Sequence, residues 1–266
     1  MSINPLKLSI VIPVYNEEDH LKNCLDAIAL QSIKPYEVIV VDNNSTDKSV
    51  EIAQSYSFVR IVKEKRQGIV HARNRGFNTV RSQIIGRIDA DTILPKDWVA
   101  KVSKFYANPD HVDYALTGGG FFYNVRAPRL NGWIQGQIAY RFIRLLMGHY
   151  SLWGSNMVIP RTLWEVVKAD TCSRNDIHED VDLGIHTHEL GYRICYQEGL
   201  RVGVYARRIW TERELLWPAL ARWPMTMRVH NHKAWWVSTA GNALFVSVIV
   251  PFGMAAEYIA SYIRPR

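Results

Sequence analysis

Four short apolar segments separated by helix-like patterns constrain this chain more than any other feature. Residues 8–13 form an almost continuous apolar run, as expected of a strand covered on both faces. Residues 37–41 read as a second buried strand, 58–62 as a third and 84–88 as a fourth. Between them lie helical signals. Asn16 is placed to cap a helix opened by Glu17, Glu18 and Asp19, with Leu21, Leu25 and Ile28 on one face. A turn at 43–46 precedes a helix over 47–56, and another helix runs over 69–80. Pro95 can start a further helix with Trp98, Val102 and Phe105 turned inward. The order β-α-β-α-β-α-β implies an α/β fold with a mainly parallel sheet and helices on both faces. Ligands of such sheets bind beyond the carboxyl ends of the strands, here at residues 13–16, 42–45 and 89–91.

The second half is less regular. Gly118, Gly119 and Gly120 mark a tight backbone region. Residues 131–149 read as a helix with Ile134, Ile138, Phe142, Leu145 and Leu146 on one face and Gln137, Arg141 and Arg144 on another. A helix over 180–190 and a strand over 193–196 follow. The 266 residues carry a formal net charge of +7, concentrated in this half. No acidic residue lies between Asp113 and Glu165, and residues 201–233 hold seven Lys/Arg against Glu212 and Glu214. Such a balance points to nucleic acid, anionic lipid or a phosphorylated substrate. Nucleic acid is disfavoured, because the chain has no zinc-finger pattern, RNP-like aromatic motif or long basic run. Cys24, Cys172 and Cys195 form no CxxC pair, so neither a disulfide framework nor a zinc site is expected, and a reduced, cytosolic compartment fits. The apolar stretch at the N-terminus breaks at Pro13 and reads as a strand, not a signal peptide.

Several residues carry candidate chemistry. Asp89-Ala90-Asp91 sets two carboxylates one residue apart just past a buried strand, where they can share Mg²⁺ or Mn²⁺ with phosphate oxygens. Asp42, ending the second strand, can accept from a base N–H or cap its own turn. Tyr15 leaves an aromatic ring where a nucleobase can stack. Arg73, in the string HARNRG after Gly68, can meet a diphosphate. Taken alone, each has a plainer reading as a capping turn, a core-edge ring or a solvated helix face.

Taken together, VIPVYNEE, VVDNNSTD, the glycine-led ARNRG and IDAD occur in series, and over residues 8–210 the chain resembles the family 2 glycosyltransferases of the GT-A fold. That resemblance implies an inverting transfer from a nucleoside diphosphate-sugar, with a uridine donor expected ahead of guanosine or thymidine. It assigns the donor to Pro13, Tyr15, Glu17, Asp42, Asn44, Arg73, Asp89, Ala90 and Asp91, with the metal on Asp91 and Asp89. It puts the catalytic base in the Glu179-Asp180 pair, at Asp180, with Asp182 as competitor. It assigns the acceptor or sugar side to Gly154, Ser155, Asn156, Glu179, Arg222 and Trp223. The string HEDVD misses the zinc-protease HExxH at its last position, and His186 and His188 have no third ligand in view, so both read as surface or structural residues. Processive relatives carry QxxRW, whereas here Ala219 precedes Leu220, Ala221, Arg222 and Trp223, so transfer of a single sugar is expected. A nucleotidyltransferase would need a glycine-rich loop where Pro13-Val14-Tyr15-Asn16 stands. A catalytically silent, nucleotide-sugar-binding relative is the other alternative.

The expected division is a glycosyltransferase domain over 1–210, with a nucleotide-binding part at 1–117 and an acceptor-binding part at 118–210. A helical extension follows over 211–266. Ten aromatics lie in the acid-free stretch from Tyr114 to Trp164, and a basic amphipathic helix beside them can lie on an anionic membrane. Residues 234–256 carry no charge, so a spanning, an interfacial and a packed helix all remain open there. The expected setting is the inner face of the cytoplasmic membrane, with a lipid-linked or saccharide acceptor in cell-envelope polysaccharide synthesis.

Overall fold

The computed structural model describes residues 7–125, 128, 133, 140–206, 216–233 and 235–244, with only the backbone at 216–219, 238 and 241–244. Residues 131–132 and 134–139 of the helix expected over 131–149, and all but 235–244 of the uncharged segment 234–256, therefore lie outside the described residues.

The first half builds four parallel strands: β1 (Leu8–Val14), β2 (Glu37–Asp42), β3 (Val59–Lys63) and β4 (Ile84–Arg87). Helices α1 (Leu21–Ala29), α2 (Ser49–Gln54) and α3 (Ile69–Thr79) connect them, and α4 (Trp98–Tyr106) follows β4. Short strands β5 (Ala115–Thr117) and β6 (Gly120–Phe122) come next, then α5 (Tyr140–Met147). A one-turn helix at Gly154–Asn156 leads directly into β7 (Met157–Pro160). The remaining described elements are α6 (Arg161–Val167), α7 (Glu179–Glu189), β8 (Ile194–Tyr196), β9 (Val202–Val204), α8 (Leu216–Val229) and α9 (Trp235–Leu244).

The main sheet has the order β3-β2-β1-β4-β7-β5-β8, and β6 pairs with β9 separately. Alternation along the strands explains helices on both faces. Ile10, Ile12, Val38 and Val40 join one core with Leu21, Leu25, Ile28, Trp98 and Val102. Their sequence neighbours Val11, Ile39 and Val41 join a second with Phe77, Leu163, Trp164 and Leu183. The chain turns back between β1 and β4, which are adjacent and parallel, so the loops after both strands open at one sheet edge. Strand β7 runs antiparallel to β4 with Met157 opposite Arg87. The residues just before β7 therefore lie beside those just after β4.

Two local expectations are corrected. Helix α1 begins at Leu21, not at Glu17, and Asn16 does not cap it. Asn16 takes a positive φ of 53° and its Oδ1 accepts from the Thr46 amide at 2.8 Å, so it pins the β2–α2 turn instead. On α5, Tyr140 and Met147 are the buried residues, while Phe142 is 48% and Leu145 79% exposed. Phe142 and Leu145 of the apolar face drawn from the sequence are thus turned outward, because Ile143 and Met147 are the residues that pack with Val181, Ile185 and Met227.

Gly76 is required by packing, since a Cβ there would overlap Cγ1 of Val11. Gly76→Ala is expected to cost about 1–3 kcal/mol through overpacking, read as a lower denaturation midpoint at unchanged slope.

Candidate active site

The site grows from an arginine inside a buried strand. Arg87 ends β4, and its side chain is only 3% exposed. A guanidinium in that position needs anionic partners. Its Nη2 lies 2.7 Å from Asp89 Oδ1 and 3.2 Å from Glu179 Oε1. The first carboxylate is two residues along the same chain; the second begins α7. Burial works against the Arg87 charge, but Asp89 and Glu179 more than offset it and raise its pKa. Burial and then Asp180 push the Glu179 carboxyl up, against the pull of Arg87 and Arg73.

The turn at Gly154–Asn156 ties the candidate metal motif to the candidate base. Ser155 Oγ donates to Asp89 Oδ2 at 2.5 Å, and the amide of Gly154 donates to Asp180 Oδ2 at 2.8 Å. Neighbouring residues of one turn thus hold both carboxylates. Gly154 must be glycine here, because an added Cβ would overlap the Arg87 guanidinium. Asn156 is fully buried and does not line the opening. Its Oδ1 accepts from Trp98 Nε1 at 2.9 Å, and its Nδ2 donates to the carbonyls of Gly119 and Leu200 at 3.1 and 2.6 Å. It fastens α4 and the β9 segment to the turn, which corrects its assignment to the sugar side.

Asp89 and Asp91 flank Ala90 past the end of β4, and Asp91 is 5% exposed. Two carboxylates at a strand end are hard oxygen donors of the kind that Mg²⁺ and Mn²⁺ combine with phosphate oxygens, so the residues fit such an ion. Both Asp89 oxygens are already engaged, by Arg87 and Ser155, so Asp89 enters the site as an oriented anion. The next residues are locked by a bridge between Ile93 and Gly203, with bonds of 2.8 and 3.0 Å.

The first strand's end places Tyr15, half exposed, at the open edge, directly after the buried Pro13 and Val14. The Glu17 amide donates to Ser49 Oγ at 2.7 Å. Asp42 Oδ1 accepts from the Ser45 amide at 2.9 Å, the turn-capping role. Asn44, at φ 67°, donates to the Lys65 carbonyl at 3.0 Å and to Gln67 Oε1 at 2.9 Å. Asp42 and Asn44 therefore also shape the loop that borders the opening.

Arg73 departs from the expected diphosphate contact. It is fully buried, and its Nη1 donates to the Glu179 carbonyl at 2.6 Å. It braces the first turn of α7 from below. Glu179, assigned to the sugar side by the sequence, is likewise buried and serves Arg87. Asp182 is fully buried, accepting from the Cys172 amide at 3.0 Å and pairing with His230 Nε2 at 2.9 Å, which leaves Asp180 as the carboxylate facing the turn. Trp223 stacks edge-on against His178, and the His178 amide donates to Thr226 Oγ1 at 2.8 Å, so α8 covers the start of α7. Arg222 is half-buried on the same helix, where its charge helps hold the Asp176 carboxyl down after the larger effect of Arg174. Cys24, beneath Asp89, has its thiol pushed well up by burial and then by Asp91 and Asp89.

Sequence reasoning missed Arg87. The signal was present, since a charged residue inside an otherwise apolar strand two positions before Asp89 cannot stay unpaired.

A family model described as "Glycosyl transferase family 2" matches residues 9–165. The chain belongs to glycosyl transferase family 2. Among curated relatives, glycosyltransferase GlyA of Streptococcus pneumoniae is 33% identical over 102 residues, 37% of this chain and 15% of that protein. The minor teichoic acid biosynthesis protein GgaA of Bacillus subtilis is 32% identical over 118 residues, 41% of this chain and 26% of that protein. These matches span less than a third of either relative's length. Among solved structures, mannosyltransferase PcManGT from Pyrobaculum calidifontis, in complex with GDP-Man and Mn²⁺, superposes with a TM-score of 0.66 at 18% identity, covering 99% of this chain and 77% of that one. S. aureus TarS in complex with UDP-GlcNAc gives a TM-score of 0.59 at 18% identity, over 76% of this chain and 59% of that one. The family 2 relationship and the GT-A fold agree with the reading of the motifs.

Removing Arg87 leaves the buried Glu179 without its ion partner. Arg87→Ala is expected to lose about 3–5 kcal/mol of stability, measured by chemical denaturation. The double variant Arg87→Met, Glu179→Met should regain part of that loss.

Proposed function

We propose that this chain is an inverting glycosyltransferase that moves one sugar from a nucleoside diphosphate-sugar to a saccharide or lipid-linked acceptor. The observation that carries the reading is the Gly154-Ser155 turn, whose adjacent residues bond Asp180 and Asp89. A base and a diphosphate-binding motif must lie on opposite sides of one sugar, and a single turn fixes their separation. Asp91 and Asp89 would hold Mn²⁺ or Mg²⁺. Bound there, a divalent cation supplies charge neutralisation for the departing diphosphate.

The chain's own residues do the rest. Tyr15 offers a ring face to the base, with Pro13, Glu17, Asp42, Asn44 and the Ala90 backbone shaping the donor's surroundings. Arg73 and Glu179 position the start of α7. Asp180 takes the proton of the acceptor hydroxyl as its oxygen attacks the anomeric carbon and the bond to the diphosphate breaks. Trp223 and Arg222 on α8 border the acceptor side. A uridine donor is the first expectation, and UDP-GlcNAc and GDP-Man in the structural neighbours keep uridine and guanosine donors both in view.

Thermal unfolding with UDP, GDP, dTDP and CDP, each with Mn²⁺ and with EDTA, tests the donor site, because a ligand bound only to the folded state raises its stability. One nucleotide should shift the midpoint with metal and lose the shift with EDTA. Asp180→Asn should keep that shift and lower turnover by about 10²–10⁴-fold. An equal loss of binding and turnover would remove Asp180 from the role of base.

Membrane association belongs to the same reading. No helix among the described residues is long and apolar enough to cross a membrane. Phe142 and Leu145 nevertheless stand exposed on α5 beside Arg141 and Arg144, and Trp235 and Trp236 are exposed on α9. Apolar side chains beside arginines suit an anionic interface. The protein should co-float with vesicles containing anionic lipid more than with neutral ones, and Leu145→Glu should weaken that.

A further inference from the structure

A second cluster lies on the far side of α7. Asp182 and His186 are one helical turn apart, so they share a face. Cys172, from the loop after α6, and His230, just past the end of α8, converge on them. The candidate ligand atoms of these four residues all lie within 4.8 Å of one another. His230 Nε2 stands 2.9 Å and His186 Nε2 3.5 Å from the same oxygen, Asp182 Oδ1. Ligand bonds of about 2.0–2.3 Å in a tetrahedron put neighbouring ligand atoms roughly 3.3–3.8 Å apart, so the set needs only slight adjustment to enclose one ion.

The orientation of the rings supports this. His186 Nδ1 lies 3.1 Å from Glu189 Oε2. An Nδ1–H donated there leaves the Nε2 lone pair for the cluster, the carboxylate–histidine arrangement that orients metal ligands. His186 Nε2 is buried and has no hydrogen-bond partner among the described residues. The two imidazoles meet edge to face, with centroids 4.8 Å apart at 71°, so both can point a nitrogen at one centre. Hydrogen bonds to Asp182 account for His230 and the Cys172 thiol but not for the buried Nε2 of His186.

We propose that Cys172, Asp182, His186 and His230 form a structural Zn²⁺ site. Sulfur, imidazole nitrogen and one carboxylate make a borderline-soft set that favours Zn²⁺ over Mg²⁺ or Mn²⁺. It is therefore distinct in chemistry from the pair Asp89 and Asp91. Four protein ligands leave no open position, so the site is structural. On binding, the Cys172 thiol releases its proton to solvent as the sulfur–metal bond forms. The ion would tie together the loop after α6, α7 and the end of α8, the helix that covers the start of α7 through Trp223 and Thr226. A zinc ion bound here would overturn the sequence expectation that the cysteines suggest no zinc site and that His186 lacks further ligands. It does not depend on the glycosyltransferase reading.

The test is metal content of the full-length protein by mass spectrometry after desalting, followed by Co²⁺ titration of the chelated protein. We expect about one Zn²⁺ per chain. Co²⁺ should give the visible bands of a tetrahedral centre and a thiolate charge-transfer band. Cys172→Ser should lose the charge-transfer band, and His186→Ala should lose most of the bound zinc. Asp91→Asn should retain it, which separates this site from the donor metal. Should the Cys172 or His186 variant fail to fold, Co²⁺ titration of the wild-type chain still decides. Absence of both bound zinc and a thiolate–cobalt band in the wild type would overturn the proposal.

Discussion

The buried guanidinium of Arg87 is the constraint from which the site follows. Removing a charge of this kind from water costs several kcal/mol per ion. A contact near 4 Å at an effective dielectric of about 20 returns roughly 4 kcal/mol. Over three ions and two contacts the desolvation cost can match or exceed the attraction, so the triplet of Arg87, Asp89 and Glu179 is weak evidence for net stability. What it does supply is position. It fastens the end of a central strand to the first turn of a helix more than ninety residues later in the chain. Arg73 repeats the device on the same turn by donating to the Glu179 carbonyl.

The antiparallel strand β7 completes the geometry. A parallel strand would enter the sheet from the opposite edge and carry its preceding loop away from Asp89. Because Met157 stands opposite Arg87, the turn before β7 must lie over the end of β4. The missing side chain of Gly154 then lets the guanidinium pass beneath the turn, and the Gly154 amide and Ser155 hydroxyl above it each reach one carboxylate.

The parts of this design differed in how far they could be read in advance. The parallel strands and both helical layers were legible because each is set by local periodicity. The position of Asp89 and Asp91 was legible because they sit where a buried strand stops. Arg73 and Glu179 carried chemistry in the sequence but not direction, and only the fold turns them inward. The cluster of Cys172, Asp182, His186 and His230 was illegible for a stronger reason. Its members span almost sixty residues, and their meeting depends on how α8 packs on α7 through Met147, Val181, Ile185 and Met227. No spacing rule encodes that contact. The outward turn of Phe142 and Leu145 was missed because an amphipathic pattern gives a face, not the side on which the core lies.

Helix α7 concentrates three acids in its first turn, Glu179, Asp180 and Asp182. The helix dipole favours them there by only about 0.3–1 kcal/mol each, which does not distinguish one from another. Their partners do. Glu179 is buried against Arg87. Asp182 lies two residues beyond Asp180, roughly 200° around the helix, and pairs with His230. Protonating either would break an ion pair or an imidazole contact inside the protein. Asp180 is bonded instead by two backbone amides, of Gly154 at 2.8 Å and Val181 at 2.9 Å. Its hydrogen-bond donors are thus backbone groups, while its charge also supports Arg87 and Arg73 through space. The neighbours thus use up two of the three carboxylates to hold the helix in place, which is the basis for proposing the third as the base.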